Sequence, residues 1–166
     1  MRLQSLLLLT VTLLLLAGCG VYSFSGATIE GKTINIHLLE NKAQNVVPSL
    51  TATLTDKLRS RILSQTGLRS VTSDDADYDI KGAVTGYNVT VSAAQNVQTA
   101  TKNRLTVSIS VTFKNAKNDK ASFTQTFARF SDFDASQNLQ NIESTLIEDI
   151  GNQLADDIFN KAFVNW

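Results

Sequence analysis

Residues 104–113 read RLTVSISVTF, and in that stretch Leu105, Val107, Ile109, Val111 and Phe113 alternate strictly with Thr106, Ser108, Ser110 and Thr112. A period of two puts the apolar set on one side of a β-strand and the hydroxyls on the other. One face of the strand is therefore predicted to be buried and the other to be hydroxyl-rich, the pattern of an antiparallel sheet covered on one side. On the C-terminal side, residues 114–120 (KNAKNDK) carry turn residues and predict a hairpin loop. Ser122 to Phe133 then reads as the next strand, with Phe123 and Phe127 on one side and a disturbance of phase near Arg129 and Phe130. On the N-terminal side, Ile80 and Val84 share one parity while Tyr87, Val89 and Val91 share the other, and Gly82 and Gly86 lie where the phase changes. A bulged or sharply twisted strand is expected there, because one extra residue shifts the facing by one.

Further out, Ile34, Ile36 and Leu38 alternate with Asn35, His37 and Leu39 and predict a first strand from Thr33. Pro48 fits a first helical turn, where its missing N–H costs nothing, and Leu50, Leu54, Leu58 and Ile62 then recur every four residues toward a left-handed cap at Gly67. Between Ser70 and Asp77 lies a polar loop whose Asp74 and Asp75 lack the spacing of a calcium loop and read as a solvated connection. A second long helix is expected from Ser136 as its N-cap, with Leu139, Ile142, Leu146, Ile150, Leu154, Ile158 and Ala162 in its stripe and Phe159, Phe163 and Trp166 at its end. The order β-α-β-β-β-α argues for an α+β fold: a four-stranded, mostly antiparallel sheet with two amphipathic helices packed on one face. Residues 33–166 are read as a single domain and residues 19–32, with Gly20, Gly26 and Gly31, as a tether.

Composition narrows the chemistry. The chain has 15 basic and 15 acidic residues, so bulk attraction to nucleic acid is not indicated. A single histidine, His37, and a single cysteine, Cys19, exclude clusters of His or Cys around a metal. His37 reads as an exposed strand residue without a partner constellation. Glu148, Asp149, Asp156 and Asp157 read as the solvated face of the last helix. No phosphate loop, nucleophile elbow or His-Glu zinc motif is present, which argues against an enzyme, and neither a cofactor nor a metal is expected. The residues left over are basic and sit at expected sheet ends: Lys102 and Arg104 at one, Lys114, Lys117 and Lys120 at the other. Lysine-rich tips protect edges from aggregation, and the same ammonium and guanidinium groups match anionic phosphates.

The N-terminus has its own logic. Met1 and Arg2 precede a nearly unbroken apolar run of 14 residues from Leu3 to Leu16, too short for a transmembrane helix and typical of an export signal. Leu16, Ala17, Gly18 and Cys19 follow, and this resembles the lipobox of bacterial lipoproteins. The resemblance implies removal of residues 1–18 and acylation of Cys19, with two or three chains for stable attachment. No aspartate follows Cys19, which favours the outer membrane, and no acidic run follows either, which favours its periplasmic side.

The mature start, residues 19–27 (CGVYSFSGA), and the C-terminal residues 156–166 (DDIFNKAFVNW) resemble the lipopolysaccharide-assembly lipoprotein family, LptE-like, in its Bacteroidetes version. The resemblance covers essentially the whole mature chain and implies a subunit that sits inside the outer-membrane β-barrel LptD, assists its assembly, plugs it and meets lipopolysaccharide in transit. It implies binding and not catalysis. On that reading Thr106, Ser108, Ser110 and Thr112 are candidate barrel contacts and Lys102 and Arg104 candidate lipopolysaccharide contacts. The alternative is an auxiliary lipoprotein of another envelope transporter, since one small fold serves several machines.

Overall fold

The computed structural model describes residues 29–45, 47–92 and 102–164. Cys19, with the rest of residues 1–28, lies outside the described residues, as does Trp166. The elements run in the order β1 (Thr33–Ile36), β2 (Glu40–Asn41), α1 (Leu50–Thr66), β3 (Arg69–Ser70), β4 (Tyr78–Ser92), β5 (Lys102–Asn115), β6 (Phe123–Asp134) and α2 (Leu139–Phe163). The four expected strands and two helices are present, with two short two-residue strands added. The fold is α+β.

The sheet order is β3-β1-β4-β5-β6, with β2 also paired to β4. β4, β5 and β6 form two long antiparallel ladders, whereas β1 runs parallel to both β3 and β4, so the sheet is mixed. Parallel pairing needs a long crossover, and α1 supplies it between β1 and β4.

The alternation in β5 is realised residue by residue. Leu105, Val107, Ile109, Val111 and Phe113 are each at most 1 % exposed, while Thr112 is exposed and Thr106, Ser108 and Ser110 are half-buried on the other side. The buried set joins Leu50, Leu54, Leu58 and Ile62 of α1 and Ile147, Ile150, Leu154 and Ile158 of α2 in one core. At the end of that core Phe163 meets Tyr78 and Phe113 edge-on, with ring centroids 5.4 Å apart in both pairs.

Two irregularities set the faces. The β4–β5 register shifts between Val84 and Gly86, so Thr85 is the extra residue; Val84 opposite Ile109 and Tyr87 opposite Val107 can then both point inward. The second lies between β1 and β2. Ile36 pairs with Ile80 and Glu40 with Ala83, which is four steps along one segment against three along the other. The facing therefore flips: Leu38 is 64 % exposed and Leu39 is buried, the reverse of simple alternation. Gly82 makes room for this, since a Cβ there would stand 2.9 Å from Leu39 Cδ2 and 2.7 Å from the Ser110 carbonyl oxygen. No such irregularity exists in β6, whose pairing with β5 is unbroken from Phe123 to Asp134. The apparent phase change near Arg129 arises because Phe130 occupies the outer face and Arg129 the inner.

The helix ends differ slightly from expectation. Gly67 is the left-handed C-cap of α1 (φ 65°), as its sequence position predicts. The N-cap of α2 is Asn138, whose side chain accepts the Gln140 N–H, and not Ser136, which instead donates to Asp134. Pro48 precedes α1 instead of sitting in its first turn. The acidic residues of α2 are not simply solvated: Glu148 pairs with Lys57 of α1 at 3.3 Å and Asp157 with Arg129 of β6 at 2.5 Å. Arg61 Nε lies 2.8 Å from Asp156, but its N–H is not aimed at the carboxylate, so that approach is purely electrostatic.

Asp77, just before β4, fixes where the N-terminal segment joins the sheet. Its Oδ2 accepts from the backbone N–H of Lys32 (2.8 Å) and Thr33 (3.1 Å) and from the Thr33 hydroxyl, while its Oδ1 meets Lys117 at 3.0 Å. The Lys32 N–H above all, then the Lys117 ammonium, hold this carboxyl far below the ordinary 3.8. A carboxyl depressed in the folded state contributes stability above its ordinary value and loses that contribution as pH falls through 3.8 and beyond. Asp77→Asn is thus expected to lower the thermal midpoint at neutral pH, with the gap to wild type closing on acidification below 3.8; a gap independent of pH refutes the anchoring role. Phe113→Ala, at a site 1 % exposed, is expected to cost about 3–5 kcal/mol in denaturant unfolding.

Candidate functional site

The outer face of the sheet is built by the half of each strand that the core does not use. Cross-strand rows run Lys81–Thr112–Thr124, Ala83–Ser110–Thr126, Gly86–Ser108–Ala128 and Asn88–Thr106–Phe130. They continue as Thr90–Arg104–Asp132 and Ser92–Lys102–Asp134. The four hydroxyl residues singled out in the sequence, Thr106, Ser108, Ser110 and Thr112, therefore form the central column of a mainly polar surface opposite the helices, interrupted by Ala83, Ala128 and the exposed Phe130. Thr112 Oγ1 and Thr124 Oγ1 lie 3.0 Å apart and tie β5 to β6 across it.

Lys102 and Arg104 lie on this same face, at the end of the β4–β5 hairpin away from Asp77. Both have acidic neighbours that the sequence reading missed. Arg104 donates to Asp132 through Nε at 2.7 Å and through Nη2 at 2.9 Å, and its guanidinium stacks 3.6 Å above the Phe130 ring. Asp132 keeps Arg104 firmly protonated, and Arg104 in turn lowers the Asp132 carboxyl. Lys102 stands directly opposite Asp134, whose carboxyl is lowered first by the Ser136 hydroxyl. The signal was available in principle: cross-strand register places residue 104 against 132 once the hairpin loop is fixed. On the helix side of this end, Val89 and Val91 are 44 % and 69 % exposed, where β4 has run past its pairing with β1 and β2, while Leu105 opposite Val89 stays buried.

Lys114, Lys117 and Lys120 lie at the opposite end, as expected. Asn115 accepts the Lys117 and Asn118 N–H groups, Asn118 accepts that of Lys120, and a single turn of 3₁₀-helix (Asp119–Ala121) closes the loop. This is also the end at which Lys32 enters, so the two basic groups flank the long axis of the sheet.

His37 departs from its reading as an unpartnered residue. It follows β1, is 34 % exposed, and its Nε2 lies 2.7 Å from Asp79 Oδ1 on β4. Asn35 Nδ2 is 3.0 Å from the same nitrogen, and Asp74 of the supposedly solvated loop comes close enough for one ligand atom from each of His37, Asp74 and Asp79 to lie within 4.8 Å of the others. The sequence carries no local sign of this, since the parallel pairing of Asn35 with Asp79 creates it.

Residues 31–162 match the family model described as LptE, lipopolysaccharide-assembly, and the chain belongs to that family. The fold is similar to that of a minor lipoprotein from Acinetobacter baumannii (TM-score 0.52, 17 % identity, 80 % of this chain and 93 % of that one). It is also similar to the hypothetical protein CT253 from Chlamydia trachomatis (TM-score 0.52, 10 % identity, 80 % and 97 %). A third likeness is to a neuraminyllactose-binding hemagglutinin homolog from Helicobacter pylori (TM-score 0.52, 9 % identity, 82 % and 88 %). At these identities the likeness is one of fold. No curated protein matches the sequence.

Proposed function

We propose that the chain is an outer-membrane lipoprotein, held on the periplasmic side by acyl chains on Cys19, that plugs the LptD barrel, assists its assembly and contacts lipopolysaccharide. It acts as a binding subunit and not as an enzyme. The observation that carries this reading is the unbroken hydroxyl column of β5, Thr106 to Thr112, at the centre of the outer face of β4–β5–β6 in a member of the lipopolysaccharide-assembly family. The lumen of a large outer-membrane barrel is polar and wet, and a sheet with one dry and one hydroxyl-rich face can meet such a wall without burying unpaired charge. Neutral hydroxyls also adapt their hydrogen bonding as neighbours shift.

Length supports the same reading. β4 has 15 residues and spans about 50 Å at ~3.3 Å per residue, more than the ~30 Å of a bilayer's hydrocarbon core. The described N-terminal segment enters at the Asp77 end, so Lys102 and Arg104 stand a full strand away from the point where Lys32 joins the sheet. In this arrangement Asp132 occupies the Nε and Nη2 edge of Arg104 and offsets its charge, so a lipopolysaccharide phosphate meets the Nη1 N–H groups beside a carboxylate or exchanges with that carboxylate.

Two measurements test the proposal. The C-terminally tagged protein, extracted from outer membranes in mild detergent, is expected to bring down a large β-barrel in equal amount; recovery alone or with inner-membrane transporter subunits refutes the plug assignment. For the ligand contact, Asp132→Asn is expected to strengthen binding of purified lipopolysaccharide and Lys102→Ala with Arg104→Ala to weaken it. Unchanged affinity in both variants removes these residues from the ligand path.

A further inference from the structure

The meeting of His37, Asp74 and Asp79 is not used by the function proposed above. Its geometry contains a conflict. His37 Nε2 faces Asp79 Oδ1 at 2.7 Å, an acceptor, and Asn35 Nδ2 at 3.0 Å, a donor. The Asn35 amide cannot simply reverse itself, because the same Nδ2 also reaches the Ser73 carbonyl at 3.3 Å and the residue is only 5 % exposed. A protonated Nε2 satisfies Asp79 and confronts the Asn35 N–H; a bare Nε2 accepts from Asn35 and confronts the carboxylate lone pairs. Beside an ionised Asp79, no protonation state of the ring satisfies both neighbours.

We propose that His37, Asp74 and Asp79 form a binding site for a divalent transition cation, of which Zn²⁺ is the representative. A cation turns the conflict into coordination: Nε2 and one oxygen from each carboxylate all donate electron pairs to a single centre, and Asn35 keeps its bond to Ser73. One imidazole and two carboxylates make a donor set suited to Zn²⁺, whereas Ca²⁺ and Mg²⁺ take oxygen shells of six or more ligands. Three protein ligands leave the fourth tetrahedral position to water or to a group from a partner. Bonds of about 2.0–2.1 Å set ligand atoms roughly 3.3 Å apart in a tetrahedron. The 2.7 Å contact between His37 and Asp79 therefore opens by about half an ångström on binding. Asp74 is exposed on its loop and supplies the movement needed to close the third side. The second oxygen of Asp79 stays near Lys81, 3.8 Å away, which limits repulsion between the two carboxylates. Bound metal fastens the loop between β3 and β4 to the end of β1.

The test uses the full chain in detergent, purified without a polyhistidine tag and stripped with chelator, then titrated calorimetrically with ZnCl₂. One Zn²⁺ per chain is expected, with affinity at least about tenfold weaker in Asp74→Asn and in His37→Gln. Asp74→Asn alters only an exposed loop residue, so its fold survives for comparison. Asp119→Asn, in the turn between β5 and β6, is expected to bind as wild type does. Absence of saturable binding in the wild type, affinity unchanged in both ligand variants, or an equal loss in Asp119→Asn overturns the site.

Discussion

Everything in this molecule hangs on the two-residue period of β5. The strand is flanked by β4 and β6, so its inner side chains form the floor on which both helices rest and its outer side chains form the middle of the polar surface. A single strand thereby commits the chain to one wet and one dry side. Burying Leu105 through Phe113 removes five large apolar side chains from water, each contributing about 1.5–3 kcal/mol before conformational entropy is charged against it. The hydroxyls opposite them cost little to expose and have nothing to lose by meeting another polar wall.

Around that floor, charge is used to join elements. Lys57 with Glu148 links the two helices, Arg129 with Asp157 links β6 to α2, and Asp77 links the entering segment, β4 and the β5–β6 turn. Most of these partners are partly solvated, and each pair alone is worth little. Their value is positional, for each fixes the relation of two elements that the apolar core would let slide. Tyr87 makes the same kind of link with a neutral donor: its hydroxyl gives a 2.5 Å hydrogen bond to Glu143 of α2, and burial first, then that carboxylate, push the phenol well above its usual range.

The sequence carried the fold well where periodicity was local. β5, the leucine stripe of α1, the Gly67 cap and the bulge between the two phases of β4 were all legible, because each depends on neighbours a few residues apart. What was not legible depends on pairing between distant segments. The parallel edge formed by β1, β2 and β3, and the flip of Leu38 and Leu39, follow from matching residues 36–40 against 80–83, a comparison that no window along the chain makes. The site shows the same division. The hydroxyl column was visible as alternation, whereas the carboxylates opposite Arg104 and Lys102 and those beside His37 appear only once registers are known.

The exposed far end of the β4–β5 hairpin gives the molecule an adjustable dimension. Past Leu105, which stays buried opposite Val89, the hairpin carries little of the core, as the 69 % exposure of Val91 attests. Inserting or removing residues there in pairs, one on each strand of a ladder, moves the tip by about 3.3 Å per pair. Two such pairs restore every side chain to its original face, whereas one exchanges the faces beyond it. The reach of the far end is thus a ruler graduated in steps of about 7 Å. Beyond Leu105, evolution or design can reset it with the interior left as it is, and relatives can share this core while differing in how far their tips extend.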